Sequence, residues 1–136
     1  MNIKSTIISY LLTLIVFLIV DMFWLGIIAK NLYQKYLGGF LTDRVNLTAA
    51  LIFYLIYVVG ISIFAIYPAV SKGSVLNAIL MGALFCIFTY ATYDLTNLAT
   101  LKGWPLYIVF IDIFGGAFLS ALVSFSGFHI VKWLNQ

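Results

Sequence analysis

Residues 90–105 read YATYDLTNLATLKGWP, from Tyr90 to Pro105. They end an apolar run that begins at Val75, and they place Asp94 and Asn97 one helical turn apart before Lys102 and Gly103-Trp104-Pro105 close it. A helix crosses the hydrocarbon of a bilayer with about 20 residues, and the run from Val75 to Thr100 is long enough. Gly and Pro punctuate its end, as expected where a chain turns at an interface. The stretch therefore reads as the last turns of a transmembrane helix that carries a carboxylate and an amide inside it.

Three more runs have the same character: Thr6 to Ala29, Leu47 to Val70 and Pro105 to Trp133. The chain is 65% hydrophobic and 8% charged over 136 residues. Soluble domains carry nearer a quarter charged residues, so the solvent for most of this surface is lipid. The expected fold is all-α: one domain spanning 1–136, with four transmembrane helices (6–29, 47–70, 75–100 and 105–133) in an up-down bundle. SKGS and LKGWP are tight connections, which makes helices two and three, and three and four, antiparallel neighbours. The longer linker KNLYQKYLGGFLTDRVN has room for a short interfacial helix before Gly38-Gly39. Pro105 suits the first turn of helix four. Tyr33, Tyr36, Tyr67, Trp104 and Trp133 read as aromatics of the interfacial belt. The first run is too long for a signal-peptide core, contains Asp21 and lacks an Ala-x-Ala exit, so it reads as a span.

Net charge is +3, with basic residues scattered singly at the edges of the apolar runs or between them. That fits headgroup contact and gives no nucleic-acid surface. With four spans both termini share a side. That side holds Lys4, Lys72 and Lys132, and the other Lys30, Lys35, Arg44 and Lys102. The excess of one residue favours linkers one and three in the cytoplasm. Near-balance is also compatible with insertion in both orientations, hence with an antiparallel homodimer.

The acids are Asp21, Asp43, Asp94 and Asp112, and only Asp43 lies in a linker. At a rise of 1.5 Å per residue, Asp94 lies about 12 Å inside Lys102 and Asp112 about 12 Å inside Trp104. Asp21 lies roughly 13 Å inside Lys30, and Tyr54 about 15 Å inside Arg44. All four depths are measured from one face, so every helix delivers a polar group to one layer. Helical spacing aligns Phe17, Asp21, Trp24 and Ile28 on helix one, and Tyr54 with Tyr57 on helix two. It aligns Tyr90, Tyr93, Asp94 and Asn97 on helix three, and Ile108, Asp112, Gly115 and Gly116 on helix four. Ridges of small residues run on from this layer: Cys86, Gly82 and Ala78 on helix three, and Gly116, Ser120 and Ser124 on helix four. Such ridges let membrane helices approach closely. The alternative is a narrow path to the far face.

An ionised Asp at the bilayer centre costs about 2.5–3.5 kcal/mol on insertion scales. The one Lys or Arg within the runs, Lys132, lies at the far end of the fourth, about 30 Å from Asp112, so none pairs with the three intramembrane acids. Either they are partly protonated, since like charges in a low dielectric oppose each other's ionisation, or they neutralise a cation. A divalent cation held by Asp21, Asp94 and Asp112 is one such reading. Oxygen-only ligands suit Mg²⁺, Ca²⁺ or Mn²⁺, and no other cofactor is evident. The candidate ligand- or proton-binding set is Asp21, Asp94, Asn97, Asp112, Trp24, Tyr54, Tyr57, Tyr90 and Tyr93, in which Trp24, Tyr54, Tyr57 and Tyr93 form an aromatic wall suited to a cation. His129 reads as an interfacial histidine and Cys86 as a small packing residue.

YATYDLTNLATLKGWP resembles the signature of a family of small bacterial membrane proteins catalogued as a domain of unknown function. The resemblance extends to DMFWLG (21–26), FYLIYVVG (53–60) and DIFGGA (112–117). It implies four spans and supplies no activity; the expected location is the bacterial cytoplasmic membrane. Function from the residues alone divides three ways. The first is proton-coupled or cation transport, and the second a membrane-embedded enzyme acting on a lipid or isoprenoid. The third is an assembly partner in which the acids only join helices.

Overall fold

A computed structural model describes residues 1–136, all in helices and short linkers. Four helices are long and apolar enough to cross a membrane: Ile3–Ile28, Leu47–Lys72, Val75–Thr100 and Leu106–Leu134. In chain order they are the first to fourth spans. The expected all-α four-span architecture is the observed one.

Caps explain where the spans begin. Free N–H groups of a first turn need acceptors, and an Asn or Ser side chain supplies one. Asn2 accepts from the Ser5 amide at 2.8 Å, which starts the first span at Ile3, earlier than its apolar run suggests. Asn46 accepts from Ala49 at 3.0 Å and Ser74 from Asn77 at 3.1 Å. Pro105 stands just outside the fourth span, as its cap residue, and does not enter the first turn. Gly73, at φ 64°, ends the second span in the left-handed conformation that glycine adopts without strain. An amphipathic helix, Lys30–Leu37, fills the linker before Gly38-Gly39.

Two π-helical turns interrupt the spans, at Trp24–Ile28 and Ser62–Ile66. A π turn takes an extra residue, so it rotates the helix beyond it. The Ala29 amide reaches back five residues to the Trp24 carbonyl at 2.8 Å. The face that holds Phe17, Asp21 and Trp24 therefore does not continue to Ile28, which is exposed, while Ala29 takes the buried place. That corrects the straight-helix alignment.

The third and fourth spans lie along one another for most of their length, and the first packs on the fourth. The second span behaves differently along its length. Its first half, Leu47–Ile61, lies on the first span. Its second half, from the π turn to Lys72, crosses to meet the third and fourth spans. Antiparallel packing thus holds throughout for spans three and four, but for two and three only near the SKGS turn. The main core, including Phe17, Tyr57, Val58, Ile61, Ile66 and Val123, fills this closed half. Large side chains such as Ile19, Ile56, Phe88, Phe114 and Phe118 point outward. In water they would be an apolar girdle, and in a bilayer they meet acyl chains.

Candidate intramembrane carboxylate site

Above that core, toward the face of the first and third linkers, the spans enclose a cavity of about 200 Å³. Asp21 of the first span and Asp112 of the fourth line it, with Trp24, Tyr33, Tyr54, Phe53, Tyr90 and Tyr93 among the other walls. Asp94 sits behind Asp112, fully buried. The depths counted along four separate helices therefore meet in space.

The two walls are built differently. On one, Tyr54 donates its hydroxyl to Asp21 Oδ2 at 2.6 Å, joining the second span to the first. On the other, Tyr33 of the amphipathic helix donates to Asp112 and accepts from Trp24 Nε1 at 3.4 Å. Burial first, and then the Asp112 carboxylate, hold the Tyr33 hydroxyl well above the ordinary tyrosine range. It remains a donor at any physiological pH. Leu37 and Trp104, both buried, pack beside Ile108 and Val109 to close this end.

Asp94 has no such donor. Neither of its carboxyl oxygens has a hydrogen-bond partner. It lies close enough to Asp112 for the two to share a hydrogen bond if one carries a proton. The Trp104 indole is near enough to act on Asp94, yet its Nε1 makes no hydrogen bond of acceptable geometry. A bond from an indole N–H depends steeply on angle, so proximity alone does not pair the two groups. Buried polar atoms are almost always paired, so this orphaned carboxyl is the most anomalous group in the molecule.

The remaining residues divide between wall and floor. Tyr57 reaches across to Ser120 Oγ at 2.7 Å and stacks on Phe17 with ring centroids 5.1 Å apart. It forms the floor. Tyr90 and Tyr93 line the side toward the third span, and Tyr93 meets Trp104 edge to face at 6.0 Å. Asn97 is half-buried beside Tyr93 and does not line the cavity. Asp21 stays apart from the Asp94–Asp112 pair, and no three acidic, His or Cys side chains come together as a metal cluster. A divalent ion held by all three aspartates would need the two walls to close. Beyond the floor the small-residue ridges are in tight contact. A Cβ on Gly82 would stand 2.6 Å from Ser124 Cβ, and one on Gly116 2.7 Å from Cys86 Sγ. They serve helix packing, and no path follows them. Cys86 is part of that packing, and His129 lies exposed near the end of the fourth span.

Tyr33 and Trp104 belong to the site, although their sequence positions suggest the interfacial belt. The signal for Tyr33 is its i, i+4 spacing to Leu37 on a helix whose other face carries Asn31 and Lys35.

Tyr54→Phe tests the first wall. It leaves Asp21 without its hydroxyl donor and should cost about 1–3 kcal/mol in denaturation from mixed micelles. In an Asp21→Leu background the same change should cost much less, and equal costs in both backgrounds would show that the bond contributes nothing.

Fold and site together define a multi-pass integral membrane protein with carboxylates buried among aromatic rings between its helices. The chain belongs to the family described as predicted membrane protein (DUF2177), which it matches over residues 6–129. No curated protein and no solved structure matches it.

Proposed function

We propose that this protein is a small carrier of the bacterial cytoplasmic membrane whose aspartates exchange a proton for a cation. The observation that carries the reading is the Asp94–Asp112 pair: two adjacent buried carboxyls, one of them without a donor, and no salt bridge to either. Two like charges this close in a low dielectric do not both ionise unless something positive stands with them. The pair therefore holds a proton when empty and can release it when a cation arrives. Mutual exclusion of proton and cation at one site is the elementary condition for coupled exchange. Asp21, tied to Tyr54 across the cavity, supplies a second negative wall. Four spans enclose little room, so the proposed working unit is a homodimer.

The test replaces Asp21, Asp94 and Asp112 together by Asn, which keeps hydrogen bonding and removes titration. Wild-type protein in liposomes with an internal pH dye should show cation-driven proton flux, and the triple variant, inserted and folded, should show none. Equal flux from both would reduce the acids to links between helices.

A second reading has support from the exposed Phe53 and Tyr93 at the cavity edge, which give it a side facing lipid. An enzyme acting on a lipid or isoprenoid could use Asp94 or Asp112 as its acid or base. Lipid analysis of a deletion strain separates the two: a changed lipid species favours the enzyme, and changed cation tolerance favours the carrier.

A further inference from the structure

We infer that the cation is an amphiphile, a single fixed or protonated positive centre on an apolar or aromatic body, and that it enters sideways from the lipid between the second and third spans. The inference rests on the carrier reading and names its substrate class.

The first observation is the packing of the second span. The third span meets it at the π turn Ser62–Ile66 and at Tyr67–Lys72, while Leu47–Ile61 leans on the first span instead. The missing side chain of Gly60 admits the Phe85 ring, and beyond it the two spans meet through the Tyr57 ring, which packs on Phe85 and Tyr90. From there toward the other face the two helices diverge. Between them lies a recess of about 510 Å³ lined by Phe53, Tyr57, Thr89, Tyr90 and Tyr93. Phe53 and Tyr93 at its rim are 41% and 53% exposed, so it opens to acyl chains. The second observation is continuity: Phe53, Tyr90 and Tyr93 also line the carboxylate cavity. An apolar antechamber thus leads to an acidic inner chamber.

Chemistry selects the occupant. The inner chamber presents Asp21 and Asp112 with Asp94 behind, and no ammonium or guanidinium group is bonded to any of them. Aromatic faces attract a cation, more so when it is desolvated. A hydrated inorganic ion would lose its water in the recess against rings and one Thr hydroxyl, which already bonds the Phe85 and Cys86 carbonyls. A phospholipid would bring a phosphate, and no Lys or Arg lines either chamber to receive it. An amphiphilic cation leaves neither group stranded. Proton release on binding involves Asp21 with Tyr54 on one wall, and Asp112 and Asp94 with Tyr33 and Trp104 on the other. Tyr90 and Tyr93 line the side toward the third span, and Tyr57 and Cys86 lie beneath.

The test uses the full chain in nanodiscs, titrated calorimetrically with tetraphenylphosphonium, which cannot itself donate a proton. Na⁺ and Mg²⁺ are parallel titrants, and proton release is followed in weak buffer. Saturable tetraphenylphosphonium binding with proton release is expected. Asp21→Asn and Asp112→Asn should each weaken it at least about tenfold, the effect of losing roughly 1.4 kcal/mol. Thr89→Trp fills the recess and should block binding. Phe53→Ala, at an exposed position, should weaken it several-fold, and it keeps the recess testable if the tryptophan variant does not fold. Proton release on adding Na⁺ or Mg²⁺, with no response to tetraphenylphosphonium, would overturn the amphiphile and leave the carrier reading. Response to no cation would remove both. Tetraphenylphosphonium binding unchanged in both recess variants would overturn sideways entry. Cross-linking between copies through Phe53→Cys, without cation binding, would assign the gap to a second copy and overturn the inference.

Discussion

Asp94→Asn is expected to make the protein more stable and to abolish proton-linked cation binding. Asp94 is fully buried and neither of its oxygens accepts a hydrogen bond. Ionised, it faces Asp112 with nothing between them. Protonated, it has one donor and still lacks partners for its remaining lone pairs. Asparagine is nearly isosteric and cannot ionise. Its amide N–H can donate to Asp112, and its carbonyl can accept from Trp104 Nε1, which is itself buried without a partner. Two buried deficits are removed by one substitution, each of a kind that costs about 1–3 kcal/mol. Thermal denaturation in micelles should show the gain, and titration with a cationic ligand should show no proton released. A site that gives up stability for ionisable chemistry commonly behaves this way. Asp94→Leu is the contrasting control: it removes the charge but leaves both Asp112 and Trp104 without a new partner, so the gain should be smaller. If Asp94→Asn is instead less stable than wild type, the carboxyl has a partner that its geometry does not reveal, and the exchange reading loses its motive.

How much of the fold and site is readable in the sequence depends on how unusual each residue is for its surroundings. Carboxylates inside apolar runs are anomalous wherever they occur, so Asp21, Asp94 and Asp112 stand out. Counting residues inward from the linkers places them in one layer, because helical rise is nearly constant. Tyr33 and Trp104 do not stand out. An aromatic at the end of a span looks the same in sequence whether it faces headgroups or turns inward onto a carboxylate. The π turns leave no mark either, so the alignment of Asp21 and Trp24 holds while its extension to Ile28 does not. The least legible feature is the second span, which leans on the first in one half and on the third and fourth in the other. A span that is apolar all round has no hydrophobic face to read. Its neighbours are chosen by small residues and by isolated hydroxyls such as Tyr54 and Tyr57, whose partners lie on other helices. The opening between the second and third spans comes from that division, and it emerges only once the helices are placed.

Gly82→Ala and Gly116→Ala should both loosen the seam between the third and fourth spans, but only one should be rescued from across it. At Gly82 a Cβ would stand 2.7 Å from the Ser120 backbone oxygen as well as 2.6 Å from Ser124 Cβ. Backbone cannot rotate out of the way, so the helices must separate. Overpacking of this kind costs about 1–3 kcal/mol, and Ser124→Gly should restore little of it. At Gly116 the nearest obstacle is Cys86 Sγ at 2.7 Å, and the next atoms, from Tyr90, lie at 3.7 Å and beyond. That obstacle is a side chain, so Cys86→Ala should recover most of the loss, a coupling that a double-mutant cycle in mixed micelles measures directly. The two glycines also differ in what they move. Gly82 lies about 18 Å along the helix from Asp94, at 1.5 Å per residue, and its effect should fall mainly on stability. Gly116 is one turn from Asp112 on the same span, so pushing it outward carries Asp112 away from Asp94. Gly116→Ala should therefore weaken cation binding in proportion to its cost in stability, and the Cys86→Ala rescue should restore both together. Recovery of stability without recovery of binding would mean that the approach of the fourth span to the third does not set the spacing of the two carboxyls.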